Sequence, residues 1–411
     1  MQNSRIGRSD RDRTFASIET VPPSTVLVLG AGYAGLLAAL RIAGKAGSRA
    51  RVVLVNDGDH FVERVRLHQV AVGQPVPRRS LEKMTRGTGI DVIQGRATDL
   101  DPVRKRVMVG ERVLSYDYLL HALGSVGATS GVPGVEAHAL DVSTEAGADR
   151  AREALAGLSS GARVSIVGGG LTAIEMATEL AETRADLTVR LVAPRVAPDF
   201  SDRARAYMLE AMAELGVEVR EQARVVAVRR DAVVLADGSH IESDATIWCG
   251  GFQIGSSALG ASLPKTADGQ LALDACLVSR GFSNVFGAGD GSAIDTPAAS
   301  FMRMSCAAAM PMAAHAADNI VRAIRGEELE PFGFAFAGRC VSLGRKRGIL
   351  QRVTPDDLPV DSFVSGWLGA RIKEAVCRYT TVSLAIERLL PGTFTWAGRK
   401  RSLSSDALLT A

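Results

Sequence analysis

Residues 26–35 read VLVLGAGYAG, and the organisation of the whole 411-residue chain can be worked out from them. Four apolar residues predict a buried strand, and the G-x-G-x-x-G turn that follows opens onto an apolar run typical of a helix. In such a turn Gly30 permits the tight bend, Gly32 lets a pyrophosphate approach the backbone, and Gly35 lets helix and strand pack closely. The phosphates are then held at the positive end of the helix. The stretch therefore predicts a dinucleotide-binding unit.

The next apolar run, residues 52–55 (VVLV), lies where the second parallel strand of such a unit is expected. Asn56 and Asp57 follow at its end, where a ribose hydroxyl would be bound. The strand, the helix, the second strand and the polar end occur together, which is a more specific signal than a glycine motif alone.

A polar segment, residues 59–69, follows this unit and admits two interpretations. It is either a solvated connection or a segment that places Arg64, His68 or Gln69 against a cofactor or substrate. The residues alone do not separate the two.

The centre of the chain repeats this beginning. Residues 164–167 (VSIV) predict a strand, residues 168–173 (GGGLTA) a second glycine turn with alanine in third place, and residues 187–192 (LTVRLV) another strand. Two glycine motifs separated by a domain length predict two bound dinucleotides.

Composition narrows the class of protein. A hydrophobic content of 46% is sufficient for packed cores. A net charge of +3 does not indicate a surface that binds nucleic acid. We find no signal peptide and no run of roughly 18 apolar residues that would span a membrane, so we expect a cytoplasmic chain. The five cysteines have no close pair, which predicts neither a metal site nor a disulfide framework.

The C-terminal part of the chain has a different pattern of apolar and charged residues. Strands are expected around residues 339–344, followed by basic amphipathic helices over residues 366–390. Two interpretations stay open for these helices: peripheral contact with the inner face of a membrane, or a solvated helix packed on its own domain.

Four ordered motifs resemble those of the two-dinucleotide-domain flavoproteins of the glutathione-reductase type. Residues 30–35 resemble the FAD fingerprint, residues 116–125 (YDYLLHALGS) the mid-chain segment, and residues 168–175 the NAD(P)H turn. Residues 286–290 (FGAGD) resemble the final segment, whose aspartate in that family holds the ribitol and phosphate side of FAD.

The resemblance implies an α/β fold with two Rossmann-like dinucleotide-binding domains, for FAD and for NAD(P)H, and a C-terminal α+β domain. We expect a flexible tail at residues 1–24, a discontinuous FAD domain at 25–130 and 245–325, an NAD(P)H domain at 131–244 and a C-terminal domain at 326–411.

The paired redox cysteines of the disulfide reductases are absent after the first unit, and the chain is most similar to type II NADH:quinone oxidoreductases through residues 170–175 (GLTAIE). This implies an enzyme that passes hydride from NAD(P)H to FAD and then electrons to a quinone-like small molecule. One departure is that the helix after residue 290 begins with Ser305 and Cys306, where that family has an Ala-Gln pair.

Three other functions stay open. The second substrate could be ferredoxin or a specialised metabolite, or Cys306 and Cys340 could serve a sulfide:quinone-type reaction. The chain could also be a redox-sensing flavoprotein with slow turnover. Whether it forms a homodimer is left open.

The motifs and the resemblance together predict the residues of the site. Glu175 is expected to relay a proton to the acceptor, the alternative being a surface glutamate; its apolar neighbours favour a buried face. No metal site is expected. The predicted cofactor-binding residues are Gly30, Gly32, Tyr33, Ala34, Gly35, Asn56, Asp57, Arg64, Ala122, Gly124, Gly168, Gly170, Leu171, Thr172, Arg195, Gly251, Gly289, Asp290, Ser305 and Cys306.

The coenzyme choice is argued from Arg195. The residue that ends the second strand of a nicotinamide unit is often an Asp or Glu, which binds the ribose hydroxyls and repels a 2′-phosphate. Here that strand runs into Ala193, Pro194 and Arg195, so a guanidinium stands near the place of a carboxylate. We expect a modest NADPH preference; the alternative is that Arg195 faces solvent and NADH is preferred.

Overall fold

The computed structural model describes residues 22–129, 131–255, 262–401 and 403. The first stretch of chain runs through a strand, a helix and a second strand, as the opening motif predicts, and then through shorter elements. Its helices are α1 (Tyr33–Ala46), α2 (Leu67–Ala71) and α3 (Leu81–Thr85). Its strands are β1 (Ser24–Leu29), β2 (Ala50–Asn56), β3 (His60–Phe61), β4 (Arg79–Ser80), β5 (Asp91–Gln94), β6 (Ala97–Asp101), β7 (Arg106–Val109), β8 (Arg112–Ser115), β9 (Tyr118–His121) and β10 (Val126–Gly127).

The middle of the chain repeats this order of elements. Its helices are α4 (Val135–His138), α5 (Glu145–Ala156), α6 (Leu171–Thr183) and α7 (Asp202–Glu214). Its strands are β11 (Ala139–Asp141), β12 (Arg163–Val167), β13 (Thr188–Val192), β14 (Glu218–Arg220), β15 (Val225–Val228), β16 (Ala232–Leu235), β17 (His240–Glu242) and β18 (Ala245–Trp248).

The remaining chain returns to the first unit and then adds a small C-terminal unit. Its helices are α8 (Cys306–Arg325) and α9 (Gly366–Leu389). Its strands are β19 (Phe252–Gln253), β20 (Leu271–Leu273), β21 (Val278–Ser279), β22 (Phe282–Gly287), β23 (Ser292–Ile294), β24 (Gly338–Leu343), β25 (Arg347–Val353) and β26 (Pro359–Ser365).

The first sheet has the strand order β23-β20-β21-β22-β9-β1-β2-β5 among the described residues. Its central strands are parallel, with Val26 of β1 opposite Val52 of β2 and Tyr118 of β9. Residues 26–29 are almost completely buried, in a core that also contains residues of α1 and α8 and Leu100, Val107 and Val109 of β6 and β7. Helix α1 packs against α8, which brings the segment after Asp290 back onto the opening motif.

The second sheet has the order β11-β18-β12-β13-β14, all parallel. Strand β18 lies inside it, between β11 and β12. The sequence analysis placed residue 245 in the first unit, and this boundary is wrong, because the chain returns only after Trp248. The two crossings between the units, β10 and β19, pair with each other as an antiparallel ribbon.

The C-terminal unit is an antiparallel β24-β25-β26 meander with α9 packed on it. A single 24-residue helix stands where the sequence analysis expected more than one. Strand β24 packs against α6 and α9 against α1, so this unit bridges both dinucleotide units. One of these contacts is a buried ion pair in which Arg41 of α1, 1% exposed, binds Asp318 of α8 and Glu387 of α9.

Candidate active site

One cavity of about 1490 Å³ reaches both glycine turns and the C-terminal unit. It brings together most of the residues predicted from sequence. Those that line it are Gly30, Gly32, Tyr33, Ala34, Asn56, Asp57, Arg64, Ala122, Gly124, Gly170, Leu171, Thr172, Glu175, Gly251, Gly289, Asp290, Ser305 and Cys306. Gly35, Gly168 and Arg195 lie outside the lining.

The first glycine turn fits a pyrophosphate group. Gly30 has a φ of +94°, and a Cβ atom there would stand 2.5 Å from the carbonyl oxygen of Ala122. A Cβ atom on Gly35 would overlap the carbonyl oxygen of Gly30, which explains why Gly35 is needed although it does not line the cavity. Gly32 caps α1, and nothing stands within 4 Å of the place where its Cβ would be. The helix N-terminus is therefore open to an anion.

The polar end of β2 is engaged within the protein. Asn56 accepts a hydrogen bond from the Ala31 amide at 2.9 Å and donates one to the carbonyl of Gly58 at 2.8 Å. Its side chain thereby holds the glycine turn in place. Asp57 forms an exposed ion pair with Arg96 at 2.8 Å. The predicted ribose contact of these two residues stays a prediction.

The segment 59–69 also lines this cavity, through Arg64 and His68 among others. Arg64 lies 3.8 Å from the Asp290 carboxylate, and Ser125 donates a hydrogen bond to that carboxylate at 2.7 Å. His68 is 4% exposed and Gln69 is buried as well, so the interpretation as a solvated connection is wrong. A carboxylate, a hydroxyl and a guanidinium in contact suit the hydroxyl and phosphate groups of a ribitol phosphate chain.

The second glycine turn has the same form as the first. Gly168 has a φ of +138°, and a Cβ atom there would overlap the carbonyl oxygen of Cys249. Gly170 caps α6 and has open space beside it. Arg195 is largely exposed, with its guanidinium 3.4 Å from the exposed Asp202 carboxylate. It is therefore free to turn toward another anion.

Glu175 is buried between the two units and the C-terminal unit, so its interpretation as a surface glutamate is wrong. Its Oε1 lies 2.9 Å from Lys373 Nζ and accepts a hydrogen bond from the Ser342 amide at 3.0 Å. Its Oε2 lies 3.7 Å from His68 Nδ1.

Charge and burial fix the protonation of this cluster. Burial opposes ionisation of Glu175, but Lys373, His68 and the Ser342 amide outweigh it and lower the pKa of the carboxyl. Burial opposes the charge on Lys373 as well, but Glu175, Cys340 and Cys377 together outweigh it, so the pKa of Lys373 is raised. Burial lowers the pKa of His68 to about 4, with Lys373 acting in the same direction and Glu175 against it. At neutral pH the cluster is therefore a carboxylate, an ammonium and a neutral imidazole.

The compartment beside Lys373 combines thiols with aromatic rings. Cys306, Cys340 and Cys377 line it as free thiols. Burial raises the pKa of each thiol and Lys373 opposes that effect. The aromatic wall consists of Phe334, Phe336 and Trp396, with the Arg303 guanidinium 4.6 Å from the centroid of the Phe336 ring.

Sequence reasoning missed Lys373, Ser342 and the role of Ser125. Lys373 was visible only as one basic residue of an amphipathic helix. Its spacing could have indicated that Lys373 faces the protein interior. Cys377 and Thr380 follow it by four and seven residues and are buried on the same face of α9. The partners in the fold could not be read from that spacing.

Within the described ranges, no group of three His, Cys, Asp or Glu side chains could hold a metal ion. No helix in the described part of the chain is long and apolar enough to cross a bilayer.

Two units with open glycine turns, facing one cavity that holds a buried acid–base cluster, define a dinucleotide-dependent oxidoreductase. The chain belongs to the pyridine nucleotide-disulphide oxidoreductase family, whose model matches residues 24–318. It is 32% identical over 323 residues to an NADH dehydrogenase-like protein of Mycobacterium tuberculosis, a match that covers 72% of this chain and 80% of that one. It is 27% identical over 357 residues to the type II NADH:quinone oxidoreductase of Staphylococcus epidermidis, covering 79% and 88% of the two chains.

Solved structures share the fold. The sulfide:quinone oxidoreductase of Aquifex aeolicus superposes with a TM-score of 0.76 at 18% identity, covering 90% of this chain and 93% of that one. NDH2 of Plasmodium falciparum, solved with NADH, gives 0.74 at 16% identity, covering 92% and 99%. The predicted two-dinucleotide-domain flavoprotein fold is confirmed, as are FAD and a nicotinamide dinucleotide as the cofactors.

Proposed function

We propose that this protein oxidises NAD(P)H and delivers the electrons to a quinone-like small molecule. The observation that carries the proposal is the single cavity that joins both glycine turns to the aromatic compartment beside Lys373 and Glu175. The type II NADH:quinone oxidoreductases among its relatives agree with it. Bound FAD supplies the two-electron chemistry that links the coenzyme to the second substrate.

The ion pair at the acceptor end suits a substrate that becomes negative as it is reduced. Lys373 carries a proton on Nζ, 2.9 Å from the Glu175 carboxylate, and its buried charge can stabilise an oxyanion that develops nearby. Ser342 fixes Glu175 through its amide, so the pair is oriented before a substrate arrives. A carbonyl oxygen of a quinone is such an acceptor.

The walls of the compartment suit a flat ring. Phe334 and Phe336 pack edge to face with centroids 4.8 Å apart, and Val376 and Pro311 complete an apolar lining. Apolar and aromatic walls exclude water and leave the few polar groups to orient the ligand.

An acceptor comparison tests this function. The purified holoenzyme is supplied with NADH or NADPH and with 2,3-dimethyl-1,4-naphthoquinone, a ferredoxin, sulfide plus quinone, or oxygen alone. We expect the naphthoquinone to support the fastest coenzyme oxidation. Oxidation that is no faster with the naphthoquinone than with oxygen alone, or that is faster with ferredoxin, would refute the proposal.

We further infer that the outer face of α9 rests on an anionic membrane surface. Large apolar side chains recur along this face, most of them about half exposed or more. They are Trp367, Leu368, Tyr379, Val382, Ile386, Leu389 and Leu390. Arg371, Arg378 and Arg388 lie on the same helix, and such a basic amphipathic helix favours an anionic interface.

Sedimentation with vesicles tests the membrane contact. We expect the protein to bind phosphatidylglycerol vesicles more than phosphatidylcholine vesicles, and Trp367→Asp together with Leu389→Asp to abolish this. Val103→Asp, at an apolar residue that is 79% exposed outside α9, is the control. A different result would overturn the membrane contact. If the wild-type protein binds no vesicles but dimerises as its concentration rises, and the α9 variant does not dimerise, a second copy of the chain covers this face instead.

A further inference from the structure

The acceptor compartment, the part of the cavity beside Lys373, is lined by three cysteines, of which Cys306 and Cys340 lie on different elements. Cys306 is the first residue of α8 and Cys340 lies on β24; both line the cavity and neither is fully buried. Cys340 is close enough to Cys306 to oppose ionisation of the Cys306 thiol. By contrast, Cys276 is partly buried but lies outside the cavity.

Two cations act on the Cys306 thiol, although burial keeps its pKa raised. Lys373 of α9 and Arg303 both favour its thiolate, while burial, Cys340 and Asp290 oppose it. Cys306 also stands at the N-terminus of a 20-residue helix, where the backbone dipoles favour a negative charge. Cys340 is influenced by the same two cations but has no helix N-terminus, and Glu175 opposes its ionisation. Cys306 is thus the better placed nucleophile of the two.

We propose that Cys306 is a covalent attachment site for quinones that carry an unsubstituted ring carbon next to a carbonyl. This rests on the proposed function, because it requires that quinones enter the compartment. Quinones with such a carbon are electrophiles, and thiolates are the reactive form of cysteine. A quinone in which every ring carbon next to a carbonyl carries a substituent does not undergo this addition. Such a quinone can be reduced repeatedly.

The addition balances without any other reactant. The sulfur of Cys306 forms a bond to the unsubstituted ring carbon, and the thiol proton goes to a carbonyl oxygen. The hydrogen on the attacked carbon then moves to the second oxygen, so that the ring becomes a hydroquinone thioether. The two-electron reduction of the two carbonyl groups is matched by oxidation of the attacked ring carbon, which exchanges its C–H bond for a C–S bond; sulfur stays at the sulfide level and nothing leaves the adduct.

Two consequences follow for the enzyme. Burial raises the pKa of the Cys306 thiol, which lowers the fraction of reactive thiolate and slows the addition. Excess NAD(P)H should protect Cys306, because the hydroquinone formed by turnover is no longer an electrophile. Quinones that carry an unsubstituted ring carbon should therefore label Cys306 mainly when NAD(P)H is absent.

A matched pair of naphthoquinones tests the inference. The oxidised holoenzyme is incubated without NAD(P)H with 2-methyl-1,4-naphthoquinone or with 2,3-dimethyl-1,4-naphthoquinone, which differ by one methyl group on the reactive carbon. Intact mass and peptide mapping then report the adduct. We expect one adduct, on Cys306, with the monomethyl compound and none with the dimethyl compound. Cys306→Ser should slow the addition at least tenfold, while Cys340→Ser and Cys276→Ser should retain it.

The flavin absorbance and the melting temperature of each variant verify that it is folded. A missing adduct can then not be caused by unfolding of the variant. An adduct that maps to Cys340 or Cys276, an equal reaction with the dimethyl compound, or no adduct at all would overturn the inference. Turnover of the dimethyl compound is measured in parallel. Turnover without an adduct would refute only the covalent attachment and would support the proposed function. Absence of turnover with either quinone would refute the proposed function itself.

Discussion

At the residue scale, Glu175 divides its two carboxylate oxygens between Lys373 and His68. Glu175→Gln removes the charge that keeps the Lys373 ammonium stable in a buried place. We expect oxidation of the reduced flavin by the quinone to slow about tenfold or more, since positioned proton donors contribute at least that much, while reduction by NAD(P)H changes little. Stopped-flow measurement of the two half-reactions checks this.

The control for Glu175 is Glu153→Gln, at an exposed position of α5. Equal slowing of both half-reactions in Glu175→Gln would make the residue structural. Leaving Lys373 buried without its partner should also destabilise the fold by about 3 to 5 kcal/mol.

Asp290 is expected to help retain FAD. It accepts a hydrogen bond from Ser125 and faces Arg64, which leaves carboxylate oxygen lone pairs for hydroxyl groups of the cofactor. Asp290→Ala should weaken binding by about 1.5 to 3 kcal/mol, the usual value of a hydrogen bond to a charged group. Flavin released on ultrafiltration measures the effect, with Asp295→Ala, in an exposed ion pair, as the control. Full retention of flavin by Asp290→Ala would count against the assignment.

Arg195 carries the proposed coenzyme preference. Its guanidinium is exposed and paired only at 3.4 Å to an exposed carboxylate, so a 2′-phosphate can compete for it. We expect Arg195→Ala to lower kcat/KM for NADPH about tenfold and to leave the value for NADH nearly unchanged. Arg203→Ala, at an exposed arginine of the neighbouring helix, serves as the control. A wild-type enzyme that is faster with NADH and a variant with an unchanged NADPH rate would refute the preference.

At the scale of elements, the packing of α1, α8 and α9 depends on one buried cation. Arg41 donates to Asp318 and Glu387, and Glu387 also accepts from the backbone amide of Phe394 at 2.9 Å. Glu387→Ala should destabilise the protein by about 3 to 5 kcal/mol, because it leaves a buried guanidinium with only part of its compensation. Chemical denaturation measures this against Glu328→Ala, at an exposed position. A change below about 1 kcal/mol would show that Asp318 alone is sufficient.

At the scale of the whole molecule, three buried histidines, His68, His121 and His315, link stability to pH, because burial lowers the pKa of each. Burial lowers the pKa of His68 and of His121 to about 4, whereas an unfolded histidine titrates near 6.5. Between those values the unfolded chain binds protons that the folded chain does not, so stability is fully present above pH 6.5 and is lost as pH falls toward 4. We expect a lower melting temperature at pH 5 than at pH 7, and a smaller difference in His121→Phe. The same difference in that variant would exclude His121 as a cause.

The sequence by itself determined both dinucleotide units, and most of the site residues predicted from it do line the cavity. These features come from local patterns: an apolar run followed by G-x-G-x-x-G specifies strand, turn and helix within about thirty residues, because steric limits on the glycines act over short distances. The order of four such motifs also specified the family. Asn56 marks the limit of this reasoning, because its position at the strand end was read correctly while its bonds to Ala31 and Gly58 were not visible.

Only the tertiary structure decided which distant residues meet. Strand β18 joined the second sheet because its partners β11 and β12 are there, and an apolar strand carries no mark of its partner in its own sequence. Lys373 lies nearly two hundred residues after Glu175, and their contact depends on how α9 packs against α6 through β24. The acceptor compartment is built from such long-range contacts between single side chains, each of which depends on packing of the completed fold rather than on any local pattern.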